Sequence, residues 1–198
     1  MSIMSNPNIV TFFRDPRSAP TTPDDFSQLY LLRRDIDVCF GVDPNSGAIN
    51  PNWPKAIFPG VMAILAGIDL LAKFLAGNDA QNQVGIRFKQ FLSQHFSLTG
   101  NDPETIWQLR NSLLHSYGLY AEKDNRIYRF NLSEGQPQLI AEIPSVGFVI
   151  DVKRLHSQFE IAVGNYLTAL QNTSGPDQPQ LDANFITMFD KHRLIRIG

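Results

Sequence analysis

The chain has 198 residues, a formal net charge of -2, and 43% hydrophobic against 18% charged residues. That length suits one domain with a sizeable core, while the slightly negative charge excludes a global attraction to nucleic acid, so any RNA contact must come from a local basic patch. Cys39 is the only cysteine, which excludes an intrachain disulfide framework and a cysteine-built zinc site, and with no continuous apolar run at the start it points to a cytoplasmic protein.

Residues 1 to 23 hold four prolines and little periodicity, and read as an irregular arm. Asp24 is placed to open a helix running to about Gly41, with Phe26, Leu29, Tyr30, Ile36 and Phe40 on its apolar side. A Pro-, Asn- and Gly-rich loop follows from Asp43 to Pro54, with Trp53 expected to plug a core edge. The stretch from Pro59 to Leu75 carries Val61, Leu65, Ile68, Leu71, Phe74 and Leu75 and is apolar nearly all round, the mark of a central helix. Asp69 and Lys73 interrupt it, and a central aspartate is costly in lipid, so it reads as a core helix and no membrane span is expected. Ala80 to Phe96 reads as a third helix with Val84, Phe88, Phe91, Leu92 and Phe96 inward.

The fourth helix has a legible start: Asp102 as N-cap, Pro103 at the first helical position and Glu104 in the first turn. Ile106, Trp107, Leu109, Leu113 and Leu114 bury it, and Gly118 suits its C-terminal cap. Leu119 to Ala121 and Arg126 to Asn131 flank a turn at Glu122 to Asn125, and a second strand pair is expected at Gln138 to Glu142 and Val146 to Asp151. Arg154 to Leu170 returns to helical spacing. A linker from Ser174 to Gln180 leads to Phe185 to Ile197, expected as an edge strand or a segment docked on a partner. The organisation is therefore an arm (1–23), one α+β, mainly α unit (24–172) with a β insertion at about 118–151, and a linker with an extended segment (173–198).

Arg110, Asn111 and His115, followed by Tyr117, stand in the last two turns of the fourth helix. Asn111 and His115 share a face at i,i+4, and Arg110 and Tyr117 share an adjoining one at i,i+7. Arginine offers a fixed fork of donors suited to phosphate oxygens. Histidine titrates near neutrality and can take or give a proton. Arg110 and His115 diverge by well over a right angle around the axis, so the arginine stem must bend toward the histidine, or each must meet the other's copy across a two-fold axis. Asp69 is a supporting candidate, since a buried carboxylate wants a partner that Arg110 or Lys73 can supply.

Arg110-Asn111-Ser112-Leu113-Leu114-His115 resembles the signature of the HEPN-like domains: arginine, a polar residue that is often asparagine, three variable residues and histidine on a helix of a small bundle. With Tyr117 it also looks like the variant found in HEPN toxins that pair with a small nucleotidyltransferase antitoxin. The resemblance covers about residues 57 to 120; the chain departs from it by its length and by β-like sequence directly after the motif. It implies a helical bundle, here with a small antiparallel β element before the last long helix, and a metal-independent endoribonuclease without cofactor whose site forms in a homodimer, as a toxin or defence component. In that reading Arg110, Asn111 and His115 are catalytic, with Asp69 and Tyr117 in support. Lys191, Arg193 and Arg196, beside His192, form the basic patch available for RNA. The alternative is a non-catalytic dimerising or adaptor module in which the motif helix is packing.

Overall fold

The structure, a computed structural model, describes residues 7–17, 25–43, 46–50, 52, 55–172, 177–192 and 195–196. It is α+β and mainly α. The helices are α1 (Pro7–Phe12), α2 (Gln28–Cys39), α3 (Ile57–Ala76), α4 (Val84–His95), α5 (Asp102–Ser116), α6 (Val152–Gln171) and α7 (Gln178–His192). The strands are β1 (Asp25–Phe26), β2 (Tyr120–Lys123), β3 (Arg126–Ser133), β4 (Ile140–Ile143), β5 (Gly147–Asp151) and β6 (Ile195–Arg196). Trp53 and Arg193 lie outside the described residues, as does the side chain of Arg196.

The organising element is α3, which packs against α2, α4, α5, α6 and α7. Val61, Ile64, Leu65, Ile68, Leu71 and Ala72 are wholly buried, so the all-round apolar sequence is used all round. By length and composition α3 is apolar enough to cross a membrane, yet 61% of that stretch is buried inside the protein, as a core helix requires. Gly67 marks its tightest crossing: a Cβ there would stand 2.6 Å from both Leu32 and Phe159, so α2 and α6 close on the bare backbone. Gly77 ends the helix in the left-handed region at φ 66°, where glycine carries no Cβ penalty.

Three expectations are corrected. The N-terminal arm is not irregular throughout: α1 and the turn that follows it send Ile9, Phe12 and Phe13 into the core. Phe12 stacks on Phe74 at 4.3 Å and meets Phe185 edge-on at 5.5 Å. Six residues are too few to show a helical period in sequence. Next, the segment from Phe185 is not extended but lies within α7, burying Phe185, Met188 and Phe189 at i, i+3 and i+4 against the same aromatic cluster. Asn184 on α7 donates Nδ2 to the Leu75 carbonyl at 2.7 Å, satisfying one of the acceptors left open at the end of α3. Among the described residues of the C-terminal segment, extended chain is confined to β6, which pairs antiparallel with β1.

The third correction concerns the sheet. Both expected hairpins form, β2 with β3 and β4 with β5, and Asp124 and Asn125 take φ 51° and 62° as a two-residue turn with both central residues left-handed requires. The order is β2-β3-β5-β4, however, and β3 pairs parallel with β5, so the sheet is mixed. Since β4 runs back beside β5, the last strand returns between β3 and β4. Tyr128 and Phe130, two apart on β3, meet Phe148 on β5 at 5.5 and 6.0 Å and bury one face. Asp151 ends β5 and starts α6, accepting from the Arg154 amide at 2.8 Å through Oδ1 and from the Gln136 amide at 2.6 Å through Oδ2.

Helix boundaries shift for local reasons. Helix α2 starts at Ser27 rather than Asp24, because the Ser27 hydroxyl accepts from the Tyr30 amide at 3.0 Å and donates to the Phe12 carbonyl at 2.7 Å. A 3₁₀ turn, Gln81–Gln83, precedes α4. In α5 the N-cap position falls to Asn101, with Asp102 and Glu104 both in the first turn. Glu104 fixes that end in space, accepting from Lys89 of α4 at 2.7 Å and from Lys123 of β2 at 2.8 Å.

Candidate functional site

The motif sits where α5 crosses α3. Ile106, Leu109 and Leu113 are wholly buried, and their spacing orients the remaining faces of α5. Arg110 is turned toward α3, where Asp69 is only 8% exposed. Arg110 Nη2 donates to Asp69 Oδ2 at 2.7 Å, with side-chain exposures of 13% and 12%. Of the two cations that sequence offered Asp69, the structure pairs it with Arg110.

The guanidinium has further neighbours. Nη1 lies 3.0 Å from His115 Nε2 and 3.3 Å from Asn111 Oδ1. The arginine stem therefore does bend toward the histidine within one chain. Arginine has donors only, so the contact with Nε2 is a hydrogen bond when that nitrogen carries no proton, which leaves the other ring nitrogen to carry it. Trp107, one turn earlier, lies under the cation, with the Arg110 Cζ 5.1 Å from the ring centroid. Such a contact favours the charged head where water is scarce. The apolar spacing of α5 marks Trp107 as a burial residue only, and its place at i-3 to Arg110 is the sequence signal for this contact.

Two polar atoms in the pair have no hydrogen-bond partner among the described residues: Asp69 Oδ1 and Arg110 Nε, both buried. His115 itself is exposed, so the site grades from a buried ion pair at Asp69 to an open imidazole at the helix end. Its arrangement can hold an anion's oxygen near a cation and present a ring nitrogen to a proton, the two operations needed at a phosphodiester.

The rest of the motif shapes the helix end. Ser112 is buried and donates to the Gly118 carbonyl at 2.7 Å, a structural tie. Tyr117, not Gly118, takes the left-handed cap at φ 52°, with amides 117 and 118 returning to the carbonyls of Leu113 and Ser112. The Tyr117 ring is 61% exposed and tilts over Phe58 at 5.5 Å. Lys191 is elsewhere: its Nζ pairs with Asp79 at 2.7 Å, beyond the C-terminal end of α3, whereas Asp69 lies about two turns inside that helix. His192 stands near Phe74, and burial, with the Lys73 charge behind it, holds its pKa below the ordinary value. Among the described residues no group of three or more His, Cys, Asp and Glu side chains is arranged to hold a metal ion. Comparison with protein-family models, curated proteins and solved structures gave no match to this chain.

Proposed function

We propose that the protein is a metal-independent endoribonuclease of HEPN type, acting as a homodimer in the cytoplasm. The observation that carries this reading is the 3.0 Å approach of the Arg110 guanidinium to His115 Nε2 at the open end of α5. On an RNA strand seated there, the Arg110 guanidinium turns to the phosphoryl oxygens and frees His115 Nε2, to which the ribose 2′-OH gives its proton as it attacks the adjacent phosphorus. The bond to the 5′-oxygen breaks, that oxygen takes a proton from water, and a 2′,3′-cyclic phosphate remains. Arg110 holds the negative charge that develops on the phosphoryl oxygens, and Asn111 orients the group. Substrate must be RNA because the nucleophile is the 2′-OH.

Asp69 is a positioning residue in this scheme, keeping the arginine extended beside the histidine. Tyr117, exposed on the same helix end, is a place for a nucleotidyltransferase-type antitoxin to modify the protein. A dimer gives the strand two such helix ends, one from each copy. The experiment is an oligoribonucleotide cut in chelator and a matched strand with 2′-deoxyribose at the scissile positions. The ribo strand is expected to yield cyclic-phosphate ends and the deoxy-substituted strand to stay intact; equal cutting of both overturns the mechanism.

A specific observation favours a second reading, the non-catalytic adaptor. The two Arg110 terminal nitrogens already contact Asp69, Asn111 and His115, so the same geometry also describes a tie between α3 and α5. In that case neither strand is cut and the dimer alone remains.

A further inference from the structure

A second polar constellation lies apart from the motif and shares no residue with it. A cleft of about 420 Å³ opens between the end of α2, the start of α3 and α6, a volume within the range of pockets that hold small ligands. Behind the lining residues Arg17 and His156, Asp37 is buried, with its side chain 2% exposed. Asp37 accepts from Arg17 Nε at 3.1 Å and Nη2 at 2.9 Å, and His156 Nε2 lies 3.4 Å from its Oδ1. Burial pushes the Asp37 carboxyl up, but the contacts from His156 and Arg17 outweigh it and hold the pKa below the ordinary value. The carboxylate behind the cleft is thus ionised and held by the Arg17 fork, while the buried His156 Nε2 beside it makes no hydrogen bond among the described residues.

The wall has an excess of positive charge. Lys55 and Lys153 share one carboxylate, Glu134, at 2.7 and 3.1 Å. Glu160 is matched by Arg33, and Asp37 by Arg17. Among the lining residues themselves, Arg17, Lys55 and Lys153 exceed Glu134 and Glu160 by one positive charge, in a concave place where field is focused. Opposite, the His156 ring stacks on Phe40 at 5.1 Å, and Ile49, 73% exposed, completes an apolar side.

We propose that this cleft binds a small phosphate monoester, its planar or apolar body on the exposed Ile49 beside the buried Phe40–His156 stack and its phosphate on Lys153 and Lys55. A carboxylate suits the site less, because the one arginine fork in the cleft is occupied by Asp37, and the cations left are ammonium point charges that take phosphate without bidentate geometry. The test is titration of the full chain with adenosine 5′-monophosphate, phenyl phosphate and inorganic phosphate, read by calorimetry and by the ring NMR signals of His156 and Phe40. At least one ester is expected to bind at millimolar concentration or below, to move both rings, and to bind some tenfold tighter than inorganic phosphate, which cannot use the apolar side. Lys153→Glu, at a side chain 63% exposed, is expected to keep the melting temperature and weaken ester binding at least tenfold. Ile49→Ser is expected to weaken the ester and leave inorganic phosphate unchanged. The proposal fails if neither ester binds, if binding is indifferent to Lys153→Glu, or if inorganic phosphate binds as tightly as the esters.

Discussion

At the scale of residues, the decisive pair is Asp69 and Arg110. Forty-one positions separate them in sequence, and each is the reason the other can be buried. Removing one partner of such a pair leaves the other charge desolvated, which commonly costs about 3 kcal/mol. Asp69→Asn is therefore expected to lower stability by an amount of that order, measured by urea unfolding, and to leave Arg110 free to leave His115. A loss below about 0.5 kcal/mol, the usual range for a surface change, would show that the pair is not structural. His115 is exposed, so His115→Ala should leave stability nearly unchanged. That difference makes His115 the cleaner place to ask about chemistry, since its loss does not also loosen the helix crossing.

At the scale of elements, α7 and the first turn of α5 bear most on how the site is held. Phe185 is wholly buried among Phe12, Phe13, Phe74 and Phe189. Phe185→Ala is expected to cost about 4 kcal/mol by cavity formation, read from the shift in the denaturation midpoint; a docked surface segment would lose far less. Glu104 gives a pH dependence of known sign. Burial raises its pKa, but the hydrogen bonds from Lys123, Lys89 and Gln108 prevail and bring it down from 4.5 to about 2. Its contribution is thus present above the ordinary carboxylate value and is lost as pH falls toward 2. Wild type should lose stability across that acid window more steeply than Glu104→Gln, and parallel curves for the two proteins would contradict the assignment. Much of this was legible in the residues. The all-round apolar run of α3 and the Pro103 and Glu104 start of α5 are local signals, and the structure places both helices within a few residues of their expected ends. Helix α7 was missed although Leu181, Phe185, Met188 and Phe189 carry helical spacing, because Asp182, Asn184 and Asp190 dilute the stripe and a Pro and Gly linker precedes it. The parallel β3–β5 pair was not legible at all, since alternation tells which face is buried and not which strand is the neighbour. Of the site, the spacing of Arg110 and His115 was open to reading, whereas the choice of Arg110 over Lys73 by Asp69 depends on how two helices cross. The Arg17, Asp37 and His156 cluster joins three distant segments and has no sequence signal.

At the scale of the whole molecule, α3 links the two polar constellations. Its buried face carries Asp69 to the motif helix, and its N-terminal approach supplies Lys55 to the phosphate cleft. A change in the cleft can leave the motif untouched, because the two sets of residues are disjoint, so the variants above separate the two proposals. The central claim is that the helix-end histidine beside Arg110 cuts RNA. Its most direct test is incubation of a mixed RNA pool, in chelator, with wild-type protein and with His115→Ala of equal melting temperature. The account expects cleavage by wild type and its loss in the variant; an intact pool with wild type, or equal cleavage by both proteins, would contradict it.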